Sequence, residues 1–273
     1  MAITMRTNFG YKRDPSGHRY TGFHRHPAYG AALVDAASID DLAPPIWNQR
    51  RTATCVGHGT AGGITTTYAA KGIPLPSPVA ARSLYGLAKS IDRKRINGKL
   101  PPLVDDGCEP NEMVRAIAEW GVPLESEVDD GRGATSPDYE DYLEAHVTDE
   151  PALDELLAGD ERLLVGFNAI LSEADEKVRE ICQSIADRYA VMAGVCAGNA
   201  AFQGFRDGLL DYTGDRPDHW VYFTAFRTNA GRKEIKMRNS WGLADWTRDG
   251  GAWCSEDFIR RGMFGTLVAN LGL

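Results

Sequence analysis

A chain of 273 residues, 43% of them hydrophobic, can bury a substantial core as one domain or as two closely packed lobes. Its 38 acidic against 30 basic side chains leave a formal charge of -8, which opposes nonspecific attraction to nucleic acid or an anionic membrane, so neither is expected as a partner. No window approaches the uninterrupted apolar length of a membrane helix, and the start MAITMRTNFGYKRDP lacks the apolar run of a secretion signal.

A soluble, cytoplasmic product is expected, or one exported or packaged by a route without a cleaved signal. Cys55, Cys108, Cys182, Cys196 and Cys254 are scattered and odd in number, so they cannot all pair within the chain, and free thiols in a reducing compartment are the simpler reading.

Residues 1–45 are rich in Tyr, Arg, His, Gly and Pro. YKRDPSGHRYTGFHRHP has no helical or alternating period, and reads as an arm wrapped over a body or as a mobile tail. Tyr11, Tyr20 and Phe23 favour an arm with something to pack against, one that packs on or regulates the remainder. Its HRYTGFHRH tract could attract a metal or phosphate, but a packed or solvated basic arm explains it as well.

After Pro44 and Pro45 comes WNQRRTATCVGHGTAGG, where a polar, irregular segment gives way at Cys55 to small residues. Gly57, Gly59, Gly62 and Gly63 make either an intrinsically weak helix that only burial would hold together or simply a flexible loop. Further on, EPNEMVRAIAEWGVP places Met113, Val114, Ile117 and Trp120 at helical spacing, with Gly121 as a stop. The acidic tract from Glu125 through Glu150 reads as surface by composition.

A second helix is expected in SEADEKVREICQSIADRY, with Ser172 and Asp175 at the spacing of a capping box. Val178, Ile181, Cys182, Ile185 and Tyr189 form its apolar face, which makes Cys182 a core residue. YAVMAGV, HWVYFTAF and KEIKMRNSW then read as strands, so helices precede sheet in an α+β order. There is no internal repeat and no glycine-rich phosphate loop.

The chemistry concentrates in HWVYFTAFRTNAGRKEIKMRNSW. If its two apolar runs form an antiparallel hairpin turning around Asn229 to Gly231, His219 and Asn239 fall abreast at the open end. An Asn oxygen accepting from one imidazole nitrogen leaves the other to face a reacting group. A base and its orienter then lack only a nucleophile.

Cys55 stands at a polar-to-helical boundary, and the free N–H groups of a first helical turn favour a thiolate there, as does an approaching imidazolium. A buried structural thiol, or a metal ligand beside His58, remains an alternative for Cys55 alone, although two ligands make a weak metal signal without matched partners. No metal or cofactor is therefore assigned a role.

NQRRTATC, DHWVYF and RNSWGLADW resemble the papain-like cysteine peptidases, especially compact bacterial and viral forms without disulfides. DDGCEPNEMVRAIAEWGVP resembles the helix that follows an acidic, Gly-containing turn in these relatives, and the similarity spans Pro44 through the C-terminal region. It implies an α+β, two-lobe fold: a mainly helical N-terminal lobe at about residues 46–155 and an antiparallel β-sheet or barrel lobe at about 156–273, with an active-site cleft between them.

The resemblance implies Cys55 as nucleophile, His219 as its acid–base partner and Asn239 as the orienter of the imidazole. Gln49, six residues before Cys55, would share an oxyanion site with the Cys55 backbone N–H, and Trp241 would shield the His–Asn contact. Val56 departs from the family's usual Trp, the separation between Cys55 and His219 is longer than usual, and Trp246 is followed by Thr247 rather than Gly.

The implied function is hydrolysis of polypeptides through a thiolate–imidazolium pair and an acyl-thioester. Alternatives are a weakly catalytic, papain-fold interaction protein in a multiprotein or virion assembly, and an acyltransferase using the same thioester. The implied location is the cytoplasm, host cytoplasm or a virion.

Overall fold

A computed structural model describes residues 24–25, 34–91, 104–128, 163, 165–243 and 246–271. The expectations for Tyr11, Tyr20, Phe23 and most of the acidic tract lie outside these residues. The helices are α1 (Cys55–Ala70), α2 (Ala81–Ser90), α3 (Pro110–Trp120), α4 (Glu125–Val128), α5 (Ala174–Ala186), α6 (Ala200–Gln203) and α7 (Glu256–Gly262).

Among the described residues nine strands form one sheet: β1 (His24–Arg25), β2 (Ala36–Ser38), β3 (Gly166–Ala169), β4 (Val191–Val195), β5 (Leu209–Leu210), β6 (His219–Asn229), β7 (Arg232–Arg238), β8 (Gly251–Cys254) and β9 (Phe264–Asn270). They run in the order β1-β3-β9-β4-β6-β7-β8-β5, with β2 pairing antiparallel to β6. The helical N-terminal lobe and this largely antiparallel sheet make the two-lobe α+β architecture.

Two cores lie on the two faces of the sheet, and the two-residue period of the strands assigns side chains between them. Met192, Trp220, Tyr222, Leu267 and Ala269 face α1, α2 and α3. Their sequence neighbours Val191, Ala193, Val221, Phe223 and Val268 join the core containing α5 and α7. Burial on both sides explains why YAVMAGV and HWVYFTAF read as continuous apolar runs.

The weak helix α1 is held by this packing, as its glycines demand. All but Thr65 and Ala69 of its 16 residues are buried, and its backbone lies directly on β6. A Cβ added at Gly59 would come within 2.7 Å of the Trp220 ring and 3.1 Å of its carbonyl oxygen. Alanine normally stabilises a helix relative to glycine, but here the clash wins. Gly59→Ala is expected to destabilise the protein by about 1–3 kcal/mol, read as a lower urea midpoint at unchanged slope.

α3 follows its sequence signals closely. Pro110 occupies the first turn, Glu109 and Glu112 form a reciprocal capping box, and Gly121 ends the helix at φ 74. α5 does not: Glu173 is its N-cap, and no side chain caps it. Ser172 instead donates its hydroxyl to Glu180 further along the helix, so the expected Ser172–Asp175 capping box does not form. Glu125, expected at the surface, is buried at the start of α4.

The β6–β7 hairpin turns at Ala230 and Gly231, which have φ of 50 and 77. Asn229 pairs with Arg232, and a bulge between Phe223 and Ala225 shifts the register so that Tyr222 pairs with Arg238. Asn239 is thereby level with Val221 rather than abreast of His219, and it reaches the imidazole diagonally.

Residues near the end of the expected arm are built into this sheet. Beyond β2, Asp40 accepts from Thr224 Oγ1 at 2.6 Å and pairs with Lys236 at 2.9 Å and Arg238 at 3.0 Å. Burial would raise the Asp40 carboxyl, but the hydrogen bonds from Thr224 and Lys236 and the charge of Arg238 outweigh it and hold the group below its usual value.

A lowered folded-state pKa stabilises at pH values above the unfolded pKa of about 3.9, and the benefit is lost as pH falls through the folded value. Asp40→Asn should therefore lower the thermal midpoint at neutral pH. The gap from wild type should close as both proteins are taken below about pH 4.

Candidate active site

The loop before α1 returns to the sheet at the end of β7. Asn48 bridges to Trp241, Gln49 N donates to Ser240 O at 2.8 Å, and Gly242 N donates to Trp47 O at 3.0 Å. Gln49 is 2% exposed; its Nε2 donates to Thr52 O at 2.9 Å, and its Oε1 accepts from Ser240 Oγ at 2.6 Å. Thr52 Oγ1 in turn donates to Gln49 O at 2.6 Å. The turn between them requires Arg50 at φ 52, a left-handed conformation for a non-glycine residue.

Cys55 is the first residue of α1 and is fully buried. Burial pushes its thiol well up, opposed by the backbone N–H of Trp220 and by those of Val56 and Cys55, and reinforced by the negative charge of Asp218. The sulfur therefore lies against the strand residue that directly follows His219. Asp218 is itself engaged, accepting from Ala197 N at 2.7 Å and Gly198 N at 2.9 Å.

His219 opens β6, and its Nε2 lies 2.7 Å from Asn239 Oδ1. The same Oδ1 accepts from Ser240 N at 2.8 Å, so the carbonyl side of the amide faces the ring. His219 Nε2 must then carry the proton in this contact, which makes Nδ1 the acceptor nitrogen of the neutral ring. Trp241 lies against the ring with centroids 4.9 Å apart, and Phe202 meets the imidazole edge-on at 6.2 Å. Phe202 also stacks on Trp246, whose indole N–H donates to Phe202 O at 2.6 Å.

The structure thus joins His219, Asn239 and Trp241 directly, ties Gln49 to Ser240, and sets Cys55 against Trp220. Ser240, Phe202 and Asp218 are participants that sequence reasoning left out. Ser240 and Asp218 adjoin chosen residues, but nothing in their spacing announces their bonds. Phe202 carries no signal of its own.

His58 has a different role from the metal ligand considered for it. Its Nδ1 donates to Thr54 O at 3.0 Å, and its ring packs edge-on against Trp47. Burial, then the charges of Arg82 and His219, push its pKa down to about 3, so it is neutral. Among the described residues, no three of His, Cys, Asp and Glu gather where they could hold a metal ion. None of the described helices is long and apolar enough to cross a membrane, and all five cysteines are free.

A helical lobe and a largely antiparallel sheet in this arrangement make up the papain-like fold, and comparison with solved structures agrees. The chain is similar to a digestive procathepsin L 3 of Tenebrio molitor larval midgut, with a TM-score of 0.66 and 15% identity over 90% of this chain and 72% of that one. Xylellain, a cysteine protease from Xylella fastidiosa, matches with a TM-score of 0.65 and 13% identity over 99% of this chain and 98% of that one.

The bromelain protease from Ananas comosus, solved with the E64 inhibitor, matches with a TM-score of 0.60 and 15% identity over 88% of this chain and 100% of that one. No protein-family sequence model matches the chain. No curated protein sequence matches it either.

Proposed function

We propose that this chain is a cysteine endopeptidase with Cys55 as nucleophile, His219 as acid–base partner and Asn239 as orienter. The observation that carries this reading is the His219 Nε2 to Asn239 Oδ1 contact of 2.7 Å, which turns the imidazole while Cys55 begins the helix packed against the same strand.

Burial opposes a lone thiolate, but transfer of the thiol proton to His219 creates a pair of zero net charge. The sulfur attacks a peptide carbonyl, and the oxyanion is met by the Cys55 N–H and a Gln49 Nε2–H. His219 protonates the departing amine, then takes a proton from the water that hydrolyses the thioester. Trp241 keeps water off the His–Asn contact.

The test combines covalent labelling of Cys55 by a peptide electrophile with identification of the new termini made in a diverse peptide mixture. Labelling at Cys55 together with cleavage supports the proposal. A folded, reduced protein that neither labels nor cleaves would sink it.

One observation favours a second reading: Cys55 has no exposed surface. A papain-fold interaction protein with little turnover would bind a natural partner equally well as wild type and as Cys55→Ala. Product masses with an added amine separate hydrolysis from acyl transfer.

A further inference from the structure

The loop carrying the oxyanion donors of the proposed reaction is braced in part by itself, through Gln49, Thr52 and Thr54. Another tie leaves it. Asp105 Oδ1 and Oδ2 accept from the backbone N–H of Ala53 at 3.1 and 3.0 Å, and Ala53 is fully buried two residues before Cys55.

The carboxylate is itself held. Tyr85 of α2 donates its hydroxyl to Asp105 Oδ1 at 2.9 Å and accepts from Gly107 N at 3.2 Å. Lys89, one helical turn further along α2, grips the same turn at Asp106 and Gly107 O. α2 is in turn seated against the first turn of α1, where a Cβ at Gly57 would fall 2.2 Å from Ala81 O and 2.9 Å from Tyr85 Cβ.

A buried amide must find an acceptor, and a carboxylate is the strongest kind available to it. The Cys55 N–H and the Gln49 amide stabilise an oxyanion only if they converge on one point, and the backbone between them sets that convergence. Resting on the peptidase reading, we infer that Asp105, oriented by Tyr85, is a positioning residue for the oxyanion loop. It fixes the Ala53 peptide and thereby the direction of the Cys55 N–H, without touching substrate.

The test compares two reactions of Cys55 that differ in their need for the oxyanion site. Iodoacetamide alkylates the sulfur with loss of iodide and creates no oxyanion. A peptide aldehyde, built on a sequence that the wild type cleaves, adds the sulfur to its carbonyl carbon and places the oxygen in the oxyanion site.

Asp105→Ala is expected to weaken aldehyde binding and lower kcat by about 10- to 100-fold, with KM little changed and alkylation within about threefold of wild type. Asp105→Asn, which keeps one acceptor, and Tyr85→Phe, which removes the hydroxyl, should show the same selective pattern at smaller size. They carry the test if the alanine variant does not fold. Unchanged aldehyde binding and kcat in the folded variants, or alkylation falling in parallel with aldehyde affinity, overturns this inference alone. A wild type that is alkylated at Cys55 but cleaves no peptide overturns the peptidase reading, and this inference with it.

Discussion

Replacing Cys55 by alanine should abolish peptide cleavage, by about 10,000-fold or more, while the protein remains folded. The loss is large because no other described thiol can substitute. Cys182 and Cys254 are buried in the core behind the sheet, Cys108 is buried among the helices, and Cys196 lies beyond β4 with its sulfur 3.4 Å from Asn199 Nδ2.

The structural cost is small by comparison. Alanine keeps the Cβ, and the backbone bonds that begin α1, such as His58 N to Thr54 O at 3.0 Å, do not involve the sulfur. His219→Ala should cost a similar factor, and the double variant scarcely more than either alone, because a nucleophile and its base act as one unit. Steady-state kcat/KM for the three variants, with far-UV circular dichroism as the control for folding, decides this. Effects that multiplied in the double variant would mean that Cys55 and His219 act independently, and the proposed pairing would fall.

What could be read from the chain beforehand followed how local each interaction is. α3 was legible because its cap, its proline and its terminating glycine all lie within its own span. α1 was legible as a weak helix, but the reason it holds was not, since that reason is the Trp220 and Tyr222 rings pressed against Gly59 and Gly62. The hairpin turn was placed nearly correctly by Asn229 to Gly231. The bulge near Thr224 was invisible, because an extra residue leaves the apolar run unbroken.

At the site, His219 and Asn239 could be linked by chain geometry, whereas Gln49 depended on family spacing. Its bonds to Thr52 and Ser240 are made by an irregular loop and by tertiary contact, and neither has a sequence period. The false capping box at Ser172 shows the converse: the spacing was right, but the hydroxyl found a better acceptor in Glu180.

Gln49→Ala is expected to lower kcat by about 100- to 1,000-fold with little change in KM, the range for losing one oxyanion donor. In the proposed reaction the amide has a donor to spare for that role. Its Oε1 is taken by Ser240 Oγ and one Nε2 hydrogen by Thr52 O, which leaves the second Nε2 hydrogen for a reacting carbonyl oxygen. Gln49→Glu keeps the shape but removes both donors and adds a negative charge where one develops, so it should be at least as damaging.

Ser240→Ala removes the tie and leaves the donor, so its loss in kcat should stay within about tenfold. A purely structural role makes the opposite forecast. The alanine variant would strand Thr52 O and Ser240 Oγ, costing about 1–3 kcal/mol of stability, while the surviving folded fraction turned over normally. Measuring kcat per folded, titratable Cys55 therefore separates the two roles, because only loss of an oxyanion donor slows the molecules that remain folded.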